Sequence, residues 1–336
     1  MAQAVESDLK GKIPSWAGLI SVIESDETPA ASMIPKRKRP SQVTHNWQVK
    51  QYKTTGHSGV IDGQDANNFS SNPRVELQGV SQKSWDNPSV SDFADEADID
   101  GASNEMAEQI LDAGVAVKWI IEKRLLSDSD CQLQSGSGAS IKPNETRGLF
   151  SWGSNSAQSQ YPVDSDYRPA TAQQYSGTLA AFDEDDYLPM SRSSFKVRRG
   201  PNKMAGVVGI DLKAKFTDFS QYAMDASGKT AARTLESKDS AKTYIRCIDK
   251  LVLDTGVLDL YPSTFIRTDA STGEDSAYTH SSGIFFDPEK VWLAFTRKPR
   301  FKMLENKGGG KRGIFDTIFI VGCDNPKSIQ MAEINS

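Results

Sequence analysis

Cysteine and histidine are scarce, with three of each in 336 residues. Cys131, Cys247 and Cys323 lie far apart and are odd in number, which argues against a disulfide framework and for a reducing compartment. His45, His57 and His280 share no metal-ligand spacing with each other or with the cysteines, so no structural zinc is expected. There is no apolar run of about 18 residues, which removes an α-helical membrane span. Residues 1–12 are polar, with no apolar signal core, so a product made and kept in a cytoplasm is expected. A Gly-x-Ser-x-Gly elbow, a His-Glu-x-x-His pair and a Cys-x-x-Cys pair are all missing. No catalytic residue, cofactor or metal is assigned.

Positive charge is not in excess either. The net charge is −5, so the chain as a whole is no general nucleic-acid binder. Hydrophobic residues make up 37% and charged residues 25%. A subunit that leaves arms and loops outside its own core has such a composition, and so does a protein with disordered linkers.

What is present falls into an ordered series. Residues 1–42 read as an arm: Trp16-Ala-Gly-Leu-Ile-Ser-Val-Ile23 and Glu27-Thr-Pro-Ala-Ala-Ser-Met-Ile34 are each too short for a core and must dock on the same subunit or a neighbour. The arm closes on Pro35-Lys-Arg-Lys-Arg-Pro40, a basic patch of Lys36, Arg37, Lys38 and Arg39. From 43 to 84 short alternation around Trp47 and Val49, a Gly-rich polar middle and Arg74-Val-Glu-Leu-Gln-Gly-Val80 predict a long β-hairpin. Met106, Ile110, Val117, Ile121 and Leu125 recur at steps of three and four and predict a helix over about 103–127, capped by Ser103. Such a helix would span roughly 37 Å, a length suited to a strut. A polar loop, 131–168, encloses Gly148-Leu-Phe-Ser-Trp152. A short helix is expected at 171–182, strands within 194–210, a helix at 211–219, and mostly strands from 244 onward.

Four stretches invite a chemical reading, and a plainer one fits each better. Glu96-Ala-Asp-Ile-Asp-Gly101 mimics a calcium loop, but Ala107 stands where the closing acid belongs, which leaves a solvated acidic linker. Asp183-Glu-Asp-Asp186 has no histidine or cysteine nearby in sequence and reads as a charged turn, with an inter-subunit contact next in order. Gly308-Gly-Gly-Lys-Arg-Gly313 lacks the Ser or Thr that a phosphate loop needs after its lysine, and reads as a β-turn with exposed cations. The patch at 35–40 reads as a solvated charge run meeting a neighbour's acidic surface, with DNA on an inner wall second.

Taken in order, these stretches resemble the major capsid proteins of tailed phages with the HK-ninety-seven-like fold. The resemblance rests on Glu27–Ile34 followed by His45-Asn-Trp47, on Glu105–Gln109 with Lys118–Leu126, on Arg147–Trp152, and on Asp254–Tyr261 with Phe286-Asp-Pro288 and the final strands. It implies an α+β fold with an N-terminal arm (1–42), an extended β-hairpin loop (43–84), a peripheral domain (85–169 and 286–336) holding the spine helix, and an axial domain (170–285). The stretch 84–101 is longer and more acidic than the resemblance implies, and 269–282 reads as an added loop.

The implied function is self-assembly into hexamers and pentamers of an icosahedral head around double-stranded DNA, in a host bacterial cytoplasm. Portal, scaffolding or decoration proteins would be partners, with non-specific DNA on the inner face. Trp16, Leu19, Ile20, Trp47 and Val49 are expected at assembly contacts, and Trp119 with Ile121 is expected to fix the spine helix to the C-terminal sheet. The competing readings are a nanocompartment shell on the same fold and a DNA-binding accessory virion protein.

Overall fold

A computed structural model describes residues 25, 27–37, 40–57, 59–65, 69–96, 104–219, 223–224, 230–231, 248–306 and 308–335. Trp16, Leu19, Ile20, Lys38, Arg39, Ser103 and Cys247 lie outside them. The chain opens with α1 (Pro29–Met33), β1 (Lys36–Arg37), β2 (Thr44–Val49), β3 (Val75–Val80), β4 (Gln82–Asp86), β5 (Ser89–Val90), α2 (Asp92–Glu96) and α3 (Glu105–Leu125). Then come α4 (Leu149–Trp152), β6 (Gln174–Thr178), α5 (Glu184–Arg198), β7 (Asn202–Val208), α6 (Ile210–Asp218) and the small pair β8 (Ala223–Met224) and β9 (Thr230–Ala231). β10 (Lys250–Leu253), β11 (Gly256–Pro262), β12 (Gly283–Phe286), β13 (Val291–Met303), β14 (Lys311–Cys323) and β15 (Gln330–Asn335) complete it.

Two sheets organise these elements. In one, the 13-residue strands β13 and β14 form an antiparallel ribbon flanked by β1 and β4, with β5 pairing the start of β14. Lys298-Pro299 interrupts the apolar pattern of β13. The backbone absorbs the interruption as register shifts between Phe295 and Arg300. At the ribbon tip Gly310 has φ +103°, and a Cβ there would come within 2.1 Å of the Val90 carbonyl oxygen, so only glycine fits. The other sheet has the order β10-β11-β7-β12-β15-β6. Its member β15 pairs with β12 on one side and β6 on the other.

The spine helix α3 packs across β14 and β4. Its cap is Asn104, whose side chain accepts from the Ala107 amide at 3.2 Å, one residue after the expected Ser103. Glu105 and Glu108 sit in the first turn and Lys123 and Arg124 in the last, each favourable to the helix dipole. Met106, Val117, Ile121 and Leu125 are buried, while Ile110 is half-buried.

Two expectations between 171 and 210 fail. A strand replaces the helix expected at 171–182: Gln173 is fully buried, its amide donating to the Lys327 carbonyl at 2.8 Å, and Gln174–Thr178 runs parallel to β15. The acidic run at 183–186 is no turn but the start of α5. Asp183 and Asp186 exchange side-chain-to-amide bonds of 3.2 Å in a capping box, and Pro189 lies inside the helix. Proline and clustered acids together hide this helix from pattern reading.

Candidate assembly surfaces

The arm's second segment docks on its own subunit. Ala30 and Ile34 are buried in the core shared by α3, α4, β12, β13 and β14. Pro29 at the first helical turn of α1 needs no amide partner, and the two amides that follow find one on the spine helix. Glu122, fully buried, accepts from Ala30 N at 2.8 Å and from Ala31 N at 2.7 Å, one oxygen each. Burial pushes its carboxyl up to about 7, against the pull of the two amides. The arm then continues as β1, parallel to β13, and Arg37 pairs with Asp324 while its guanidinium lies 5.2 Å from the Trp292 ring. Within the basic patch, Arg37 is therefore engaged inside its own chain, while Lys36 is exposed.

The hairpin β2–β3 keeps six paired positions, from Thr44↔Val80 to Val49↔Val75. Trp47 stands at its base in an aromatic cluster, 5.0 Å from Trp292 and 5.7 Å from Trp152, with His45 stacked 6.0 Å away. Its indole N–H donates to the Cys323 carbonyl at 3.2 Å, and Val49 packs on the same core. Burial lowers the His45 pKa, keeping that ring neutral near pH 7. Beyond the base the described residues form no further strand before Val75, and Tyr52, Val60, Ile61 and Phe69 are exposed. On the spine helix, Ile121 joins the core whereas Trp119 packs on Phe265, 5.8 Å between ring centroids.

One functional-looking centre escapes sequence reading. Arg147 is fully buried, with Nε donating to Asp130 Oδ1 at 2.7 Å, Nη2 to the Tyr161 carbonyl at 3.1 Å, and its guanidinium 4.5 Å from the Trp152 ring. Asp130 also accepts from the amides of Cys131, Ser159 and Gln160. Burial alone would raise the Asp130 pKa, but Arg147 and these amides outweigh it and hold the carboxylate below its ordinary value. The pair ties the loop after α3 to the loop after α4. No group of three or more potential metal ligands occurs among the described residues. No helix among them is long and apolar enough to cross a membrane.

A long two-stranded ribbon under a spine helix, a separate six-stranded sheet, a docked arm and an exposed hairpin loop make up the fold. The same fold recurs in solved structures along nearly the whole chain. The capsid of cyanophage P-SCSP1u gives a TM-score of 0.60 at 11% identity, covering 96% of this chain and 93% of that one. A Mycobacterium phage Bobi structure gives 0.59 at 10% identity, with 100% of both chains covered. The capsid of a native GTA particle, computed with C5 symmetry, gives 0.56 at 10% identity, covering 98% and 97%. No curated protein matches the sequence.

The fold is thus that of HK-ninety-seven-like phage capsid proteins. A family model described as SU10 major capsid protein matches residues 3–333, and the chain belongs to that family. It is a phage major capsid protein, a component of the virion that assembles with copies of itself.

Proposed function

We propose that this capsid protein closes into hexamers and pentamers of an icosahedral head around double-stranded DNA, in the cytoplasm of a bacterial host. The observation that carries the reading is the family match over residues 3–333, joined to a fold shared with a particle capsid computed with fivefold symmetry. Function is then geometric: repeated weak contacts, each distributed over arms and loops, sum to a closed shell. The hairpin loop suits that role, because Tyr52, Val60, Ile61 and Phe69 are large hydrophobic side chains left mostly exposed by the described residues. Trp16, Leu19 and Ile20 of the arm, with Trp47 and Val49 of the hairpin base, are proposed as contact residues or as supports of contacts. The arm, hairpin, peripheral and axial boundaries at 1–42, 43–84, 85–169 with 286–336, and 170–285 are kept as a working division. Portal, scaffolding and decoration proteins, and DNA on the inner face, complete the proposed partners, and catalysis has no place in the scheme.

Expression of the full chain alone, followed by negative-stain electron microscopy and light scattering, tests this. Closed shells, tubes or capsomer rings are expected. A chain that stays monomeric even with neighbouring head-gene products added would overturn it.

A further inference from the structure

Two surfaces of this chain complement each other and cannot meet within one copy. The first is α2. Phe93 is 93% exposed there, between the exposed acids Asp92 and Glu96, while Asp95 is held by Lys311 at 2.7 Å. From Ser84 to Val117 the sequence has no lysine or arginine, and among the described residues Lys311 is the cation paired with this knob. An aromatic ring left in water amid acids has no stabilising role in its own subunit.

The second is a groove of about 990 Å³ between the hairpin base and the C-terminal end of α5. Tyr52 and Tyr167 line it together with Lys50, Lys196, Arg199 and Lys290, and Asp324, the one lining carboxylate among the described residues, is already engaged by Arg37. Lys50, Lys196 and Lys290 have no ion-pair partner among the described residues. The volume suits a short chain segment, at the upper end of ordinary ligand clefts, and is too small to enclose a nucleic-acid duplex.

The knob is fastened at Lys311, where β14 begins, and the groove ends at Asp324, just past where β14 stops. Twelve steps of strand separate them by about 40 Å. We propose that the α2 knob of one copy seats in the basic groove of the next, Phe93 against the tyrosines and Asp92 and Glu96 against the lysines. Different patches on the two partners make a head-to-tail contact, the kind that closes rings. Opposite charge would orient the encounter and select the register. The inference rests on the capsid reading and gives the unusually acidic stretch before the spine helix a task.

The test uses full-length chains. Lys196→Glu with Lys290→Glu should slow assembly by about tenfold in light scattering, as should Asp92→Lys with Glu96→Lys. All four substitutions in one chain should recover most of the parental rate. A groove variant that assembles at the parental rate, or a four-fold variant no better than either pair, overturns the proposal. So does a groove variant that loses salt-sensitive DNA binding with its assembly rate unchanged, which would make the groove a nucleic-acid surface. In a second arm, Phe93→Cys chains are oxidised together with Tyr52→Cys chains. A cross-linked dimer appearing in the mixture, and in neither variant alone, is expected whether or not shells form; its absence refutes the pairing. Failure of the parental chain to assemble counts against the capsid reading instead.

Discussion

Glu122 and Ala30 are 92 residues apart in sequence and joined by a 2.8 Å hydrogen bond from the Ala30 amide to the buried carboxyl. With the second bond from Ala31 at 2.7 Å, this side chain fastens the arm to the spine helix. The arm's position therefore depends on one titratable group with almost no access to solvent.

A pH dependence follows. Burial raises the Glu122 pKa from 4.5 to about 7 in the folded chain. The folded state thus binds the proton more tightly than the unfolded one, and the associated stability is fully present below about pH 4.5 and lost as pH rises through about 7. The full change is on the order of 3 kcal/mol. Hydrogen exchange at the Ala30 and Ala31 amides, corrected for intrinsic rates, should quicken across that window, and Glu122→Gln should flatten the profile. Amides that become better protected with rising pH would contradict this sign.

Much of this architecture is legible in the residues. The spine helix announces itself through Met106, Val117, Ile121 and Leu125, and the ribbon strands through their apolar runs, because both periodicities reflect local geometry. What stays hidden depends on distant partners. Glu122 lies on the flank of α3, away from the apolar stripe, and reads as an ordinary solvated acid until α1 covers it. Arg147 reads as a loop cation, although its partners Asp130 and Tyr161 flank it at short range. No spacing rule signals a buried pair in a polar loop. The first strand of the hairpin is legible at Trp47, but the indole's contacts with Trp152 and Trp292 are set by tertiary packing.

The Arg147–Asp130 pair predicts an order of effects. Asp130→Ala leaves a fully buried guanidinium without its carboxylate, and should cost about 3–5 kcal/mol in urea unfolding. Arg147→Met removes the buried charge and leaves Asp130, partly exposed, with three backbone amides, so a loss of roughly 1 kcal/mol is expected. Equal losses for the two variants would mean that the charge pairing carries little of the stability.

Trp47 serves its own subunit first. It is half-buried, bonded to the Cys323 carbonyl and wedged among Trp152 and Trp292. Trp47→Ala should lower unfolding stability by about 2 kcal/mol, less than for a fully buried tryptophan. It should also loosen the hairpin base, seen as faster amide exchange in β2 and β3. If the variant still builds normal closed shells, Trp47 leaves the set of assembly contacts and remains a support.

The hairpin loop supplies a readout of assembly that needs no substitution. Tyr52 is 92% exposed and Phe69 is 85% exposed, on backbone that forms no strand, and among the described residues the loop is tied to the body by Gln51 donating to the Asp166 carbonyl and Arg199 donating to the Thr54 hydroxyl. Cleavage by a protease requires a segment of several residues to leave its packing, and here little packing has to be lost. Chymotrypsin should therefore cut free subunits at these aromatic residues well before it cuts in β13 or β14. In assembled particles a neighbouring subunit should cover the same residues, slowing cleavage by at least about tenfold, since protection tracks the population of the open segment. Particles cut at Tyr52 and Phe69 as fast as free subunits would show that the loop stays in solvent after assembly. In that case the contacts that hold the shell together must come from other surfaces, such as the arm, and Phe93 of a neighbour would not be seated on Tyr52.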